Sequence, residues 1–119
     1  MMYKVVIRER RMPMSIQYKK GVLELCVMAL LKKQDCYGYE ISEALSKQID
    51  IADGTVYPIL RKLKADGLLT TYLQEESGGP PRKYYSLTTL GKETFEKDRN
   101  EYLMFADSVK KMLEDDSND

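Results

Sequence analysis

Apolar positions along this chain repeat with a helical period three times, then with a strand-like pattern, and finally with a helical period again. The first repeat predicts a helix that begins at Ser15 or Ile16 and ends at Lys33. Apolar side chains cover most of its circumference, which is typical of a helix buried on several sides. We therefore expect this helix to lie centrally or at a subunit interface.

The second repeat predicts a helix over residues 37–48. Ile41 and Leu45 are four residues apart, so they share one helical face and are expected in the core. The turn IDIADG then leads into a third helix within the stretch DGTVYPILRKLKADGLL, residues 53–69. Gly67 is a typical C-terminal stop for that helix.

Pro58 constrains where the third helix begins. Proline has no N–H, so it is tolerated in the first helical turn, where that group would have no helical partner. With Thr55 as the N-cap, Pro58 falls within this turn, whereas with Asp53 it lies slightly too deep. We prefer Thr55, and both starts remain open at this point.

The third helix has an apolar side and a polar side. Its buried stripe is predicted to consist of Ile59, Leu60 and Leu63. Residues three and four apart are neighbours on a helix surface. On the side opposite the buried stripe, this spacing places one aromatic side chain beside two cations: Tyr57, Arg61 and Lys64. Lys62 is expected at a phosphate or in solvent.

Residues 68–73 and 83–88 are rich in β-forming residues and flank the loop QEESGGPPR, which predicts a hairpin. Residues 89–114 then predict one long helix with a heptad-like stripe. Its members are Phe95, Tyr102 and Val109 on one seam and Phe105 and Met112 on the next, flanked by Ala106 and Leu113. The stripe either packs on its own domain or forms a dimer contact, and we favour the dimer because the preceding domain is short.

The net charge is zero, but residues 1–20 are mainly basic and residues 90–119 mainly acidic. Residues 1–14 are interpreted as an N-terminal extension, either disordered or arm-like. Residues 115–119 are interpreted as an acidic tail. The two cysteines do not make a disulfide framework and favour a reduced, cytoplasmic protein.

The residue types present argue against several classes of protein. The chain has no histidine, which removes the commonest general base and metal ligand. It has no phosphate-binding loop, dinucleotide fingerprint or nucleophile elbow, so we expect neither an enzyme nor a bound metal or cofactor. The longest apolar run, VMALL, is too short to cross a bilayer, so no membrane partner is expected.

The order of elements predicts a mainly α fold with a small β-hairpin (α+β). It is that of a winged helix-turn-helix domain, residues 15–88, followed by a long C-terminal dimerisation helix, residues 89–114. In this architecture the third helix enters the major groove of double-stranded DNA and the hairpin is the wing. The predicted DNA contacts are Thr55, Tyr57, Arg61, Lys62 and Lys64 on the helix, Arg82 and Lys83 on the wing, and Lys20 and Tyr39 at helix starts.

Three stretches resemble the signature segments of PadR-like transcriptional regulators: YGYEIS, GTVYPILRKLKADGLL and GPPRKYYSLTTLG. The single long C-terminal helix is similar to the short-form members of that family. The resemblance implies a homodimeric repressor that binds a palindromic operator and dimerises through its first and last helices. The interface residues expected on this basis are Leu23, Val27, Tyr102, Phe105, Val109 and Met112.

Some short-form members bind flat aromatic or cationic compounds at the centre of the dimer. The resemblance therefore implies a pocket for a small hydrophobic ligand at Phe95, Tyr102 and Phe105. The chain has no tryptophan, which departs from the stacking pair of the drug-binding members. The alternative function is a winged-helix protein-interaction module that does not bind DNA.

Overall fold

A computed structural model describes residues 21–75 and 78–114 of the chain. Lys20, the N-terminal extension and the acidic tail lie outside the described residues. The elements follow the order α1 (Val22–Lys33), β1 (Cys36–Tyr37), α2 (Gly38–Ser46), α3 (Val56–Ala65), β2 (Leu69–Gln74), β3 (Arg82–Leu87) and α4 (Thr89–Glu114). This order confirms the predicted α+β fold class, with a hairpin after the third helix and a long final helix.

α1 begins later than predicted. Its N-cap is Gly21 and its first helical residue is Val22, so the predicted start at Ser15 or Ile16 is wrong; those two residues lie outside the described part of the chain. α2 ends at Ser46 rather than Gln48. The strands and α4 lie within one residue of their predicted bounds.

The sheet has three strands in the order β1-β3-β2, and both pairs are antiparallel. The hairpin of β2 and β3 was predicted, but β1 was not, because two residues are too few to show a period. β1 pairs Cys36 with Tyr85 and Tyr37 with Tyr84. The wing is thereby joined to the segment that immediately precedes α2.

The core lies between α1, α2, α3 and the sheet. Ile41, Val56 and Leu60 are fully buried there, together with Val27 and Leu63. Burying one such side chain contributes roughly 1.5–3 kcal/mol. The apolar faces of α2 and α3 are therefore fixed toward α1, and their polar sides remain on the surface.

α4 is anchored to the turn between α3 and β2. Gly67 there has a φ of 80°, a conformation that glycine adopts without strain and that ends α3 as predicted. The hydroxyl of Thr88 donates to the Gly67 carbonyl at 2.7 Å and accepts from the Gly91 N–H at 2.9 Å. The Thr88 N–H also donates to the Leu68 carbonyl at 3.0 Å. The start of the long helix is thus tied to the end of the third helix.

Candidate nucleic-acid interface

The first turn of α3 settles the position of Pro58. The helix starts at Val56 with Thr55 as its N-cap, so Pro58 is the third helical residue. The N–H that proline lacks is one of the four that have no partner within a helix. The preference for Thr55 over Asp53 is confirmed, and Pro58 costs this helix no hydrogen bond.

α3 buries Val56, Leu60 and Leu63. The predicted apolar stripe is therefore correct at Leu60 and Leu63, whereas Ile59 is only half-buried and Val56 takes its place. Tyr57, Arg61 and Lys64 are exposed, as expected for the polar side.

One groove of about 700 Å³ lies between the start of α2, the first two turns of α3 and the base of the wing. Five predicted DNA contacts from three separate stretches of sequence line it: Tyr39, Tyr57, Arg61, Arg82 and Lys83. Tyr37, Gly38 and Tyr85 complete its wall. The groove therefore presents three cations and several phenol groups on one open surface.

Gly38 lets the ring of Tyr57 lie directly against the start of α2. A Cβ atom at position 38 would be 2.7 Å from Cε1 of Tyr57, which is closer than two carbons can approach. Glycine is needed here for this close approach. The Tyr57 ring thus lies between α2 and α3, and 41% of the side chain remains exposed.

Tyr85 lies in the same wall and was not among the predicted site residues. Burial raises the pKa of its phenol, the nearby Tyr57 adds to this, and the positive charge of Arg61 acts in the opposite direction. Tyr85 therefore stays a neutral hydroxyl at pH 7. Tyr84 and Tyr85 are adjacent on β3, so their side chains lie on opposite faces of the strand.

Lys62 does not belong to this groove. Its Nζ contacts Asp66 at 3.1 Å and Glu24 of α1 at 3.4 Å. The hydrogen bond to Asp66 and the charge of Glu24 raise the pKa of Lys62. Lys62 is thus exposed but paired with two carboxylates away from the groove, and its assignment as a DNA contact stays a prediction.

Lys64 also lies outside the groove lining. Its Nζ donates to the Thr71 hydroxyl on β2 at 3.2 Å, one helical turn beyond Arg61. Lys64 therefore occupies the flank of the surface, beside the wing. Thr55 is half-buried at the N-cap and its side chain makes no cap hydrogen bond.

A second groove, of about 690 Å³ and mostly apolar, follows the far half of α4. It is lined by Val22, Tyr102, Phe105, Ala106, Val109, Lys110, Leu113 and Glu114. Tyr102, Phe105 and Val109 were predicted for the dimer interface. Val22, Ala106 and Leu113 line the groove although no site was assigned to them.

Three predicted residues of this region need correction. Val27 is fully buried in the core of its own chain and Leu23 is 8% exposed, so neither side chain is available to a partner. Phe95 is also a core residue, 6% exposed, so it does not line the apolar groove. α1 is apolar around most of its circumference, so its sequence does not show which face is covered by its own domain.

No group of three or more potential metal ligands occurs within residues 21–75 and 78–114. Over the same residues, no helix is long and apolar enough to cross a membrane. Cys26 and Cys36 are free thiols, and burial is the main cause that raises the pKa of each.

The fold and the first groove define a winged helix-turn-helix protein in which the third helix and the wing share one exposed surface. Residues 27–97 match the model of the transcriptional regulator PadR-like family. The chain belongs to this family and is a transcriptional regulator. The expectation that it is not an enzyme is thereby confirmed.

Solved structures agree with this membership. A PadR-like transcriptional regulator from Bacillus cereus is 33% identical, with a TM-score of 0.77 over 84% of this chain and 99% of that one. The protein smu.1704 from Streptococcus mutans is 34% identical, with a TM-score of 0.72 over 82% and 91% of the two chains. The transcriptional regulator YqjI of Escherichia coli is 30% identical over 76% of this chain but only 44% of its own length.

Proposed function

We propose that this regulator is a homodimeric repressor that binds a palindromic operator in double-stranded DNA through α3 and the β2–β3 wing. One observation carries the proposal: exposed side chains from three separate stretches share one groove. They are Tyr39, Tyr57, Arg61, Arg82 and Lys83. A solvated helix surface alone does not account for cations of the wing and of α3 meeting in this way.

The position of each side chain suits a different part of DNA. Helix-turn-helix proteins contact base edges with the N-terminal residues of the recognition helix, where Tyr57 lies, and Arg61 is one turn further along the same face. Arginine donates two hydrogen bonds to O6 and N7 of guanine. Arg82 and Lys83 on the wing suit phosphate or the minor groove, and Lys64 suits a phosphate at the flank.

Dimerisation is supported by the apolar surface of α4. Phe105 is 67% exposed, Met112 78% and Leu113 80%, although all three are large apolar side chains. The second half of the helix extends beyond the domain that holds its start, so the other described residues, 21–75 and 78–101, leave this stripe uncovered. A second copy with the same stripe would cover it across a two-fold axis. Such an axis matches a palindromic operator.

We expect Arg61→Ala to weaken operator binding by about 1–3 kcal/mol, because a bidentate contact to a base is lost. An electrophoretic mobility shift with the DNA upstream of the protein's own gene measures this change. Wild-type affinity should fall steeply as salt is raised, because Lys and Arg displace counterions from phosphates.

Arg99→Ala is the matched control, since it removes an exposed arginine of α4 outside the groove. Its affinity for the same DNA should equal that of the wild type. Equal affinities of the Arg61 variant and the wild type would disprove the recognition role of α3. Absence of any salt-dependent DNA binding would instead favour the protein-interaction module.

We further propose that the apolar groove accepts a small hydrophobic ligand, because Tyr102 and Phe105 line a space of about 690 Å³. Pockets for small molecules have about this size and character. A ligand that binds only the folded state raises the melting temperature. We expect hydrophobic cations or phenols to raise it for the wild type and not for Tyr102→Ala. Equal shifts in both proteins would place the ligand elsewhere.

A further inference from the structure

Three tyrosines form a column across the sheet. Tyr37, Tyr84 and Tyr72 are direct partners in the register of β1, β3 and β2. The Tyr72 and Tyr84 rings stack with centroids 5.7 Å apart, and Tyr84 meets Tyr37 edge to face at 5.5 Å. The Tyr72 hydroxyl donates to Asp35 at 2.7 Å, which fixes the outer end of the column.

Arg82 lies at the other end of this column. It precedes Tyr84 by two residues on β3, so it is on the same side of the strand and is a diagonal neighbour of Tyr37. The guanidinium carbon of Arg82 is 4.5 Å from the centre of the Tyr37 ring, which is a cation–π contact. The ring therefore holds the arginine at the edge of the groove.

Tyr37 is itself held in place at the start of α2. Its N–H donates to Oε1 of Glu40 at 3.1 Å. The next residue, Gly38, is the one against which the Tyr57 ring lies. One dipeptide thus contacts both the wing arginine and the aromatic residue of α3.

We propose that Tyr37 is a positioning residue that fixes the wing's Arg82 relative to Tyr57 and Arg61, so that the groove meets DNA with its cations already arranged. This inference rests on the proposed DNA binding. An arginine that is already ordered loses less rotational freedom when it binds a phosphate. Tyr37 then strengthens binding without having to touch DNA itself.

A double-mutant cycle on the full chain tests this role, with the duplex upstream of the protein's own gene and a random-sequence duplex as probes. We expect Tyr37→Leu to weaken binding to both by about three- to tenfold, the cost of ordering one long side chain. Tyr37→Phe keeps the ring and should restore wild-type affinity. In an Arg82→Ala background, Tyr37→Leu should have no further effect.

Two measurements can be made even if the Tyr37→Leu variant fails to fold. Arg82→Lys keeps the charge but loses the planar group, and it should weaken binding. In the free wild-type protein, the Tyr37 ring should shift the NMR signals of the Arg82 δ-methylene protons upfield. An unshifted signal would overturn the inference, because the contact would then be absent in solution.

The remaining outcomes separate this inference from the proposed function. If Tyr37→Leu weakens binding equally in the Arg82→Ala background, Tyr37 has a general structural role and the inference fails. If Arg82→Ala weakens binding and Tyr37→Leu does not, DNA binding stands and only the positioning role fails. If the wild type binds neither duplex, the proposed function itself fails, and the inference with it.

Discussion

Gly91→Ala is expected to destabilise the folded protein by about 3 kcal/mol. This is the upper end of the usual cost of adding a methyl group to a well-packed core, about 1–3 kcal/mol. A Cβ atom at this position would overlap the Leu68 carbonyl oxygen and lie 3.1 Å from Cδ2 of Leu87. The Leu68 carbonyl already accepts the N–H of Thr88 and cannot move away without loss of that bond. Urea unfolding, compared at one protein concentration, measures the change.

Gly38→Ala is the matched control for this substitution. It adds the same methyl group, but the atoms that it meets belong to the Tyr57 side chain, which is 41% exposed and free to turn outward. We expect its free energy of unfolding to stay within about 1 kcal/mol of the wild type. If the two alanine variants were equally stable, the close approach of α4 to the α3–β2 turn would not exist in solution.

Phe105→Glu is expected to raise the dissociation constant of the proposed dimer by at least about a thousandfold. Removal of a central aromatic side chain costs about 2 kcal/mol or more at an interface. A two-fold axis doubles this loss, and two carboxylates then face each other in an apolar surface. Sedimentation velocity over a range of concentrations should show a monomer.

Asn100→Glu adds the same charge to the exposed surface of α4 outside the groove and serves as the control. It should sediment as the wild type does. A dimer that persists in the Phe105 variant would show that the chains associate through another surface. The proposed operator symmetry would then need a different two-fold axis.

Periodicity predicted most of the fold because each long element repeats its burial pattern several times. α4 was placed over residues 89–114 because its length gives many repeats of that pattern. β1 was missed because its two residues are strand only through their pairing with Tyr84 and Tyr85. Short elements that depend on tertiary pairing carry no periodic signal of their own.

The candidate site was predictable to the extent that polarity determines which side of a helix faces solvent. Tyr57 and Arg61 follow from the spacing on α3, and the wing cations from their place beside a Gly/Pro loop. The ion pair of Lys62 with Glu24 could not be predicted, because the two residues are 38 positions apart in the sequence. The roles of Tyr37 and Gly38 depend on contacts across the sheet and between helices, which spacing along one helix does not reveal.

The hydrogen bonds between Thr88 and the α3–β2 turn couple the position of α3 to the orientation of α4. α4 has 26 residues, so it is about 39 Å long. If α4 rotated by about 5° about its C-terminal end, its N-terminal end, and α3 with it, would therefore move by roughly 3 Å. Recognition helices of a two-fold dimer must match major grooves about 34 Å apart, and such a displacement would change the separation of the two α3 helices. In the proposed dimer, the angle at which two α4 helices cross would therefore affect operator affinity.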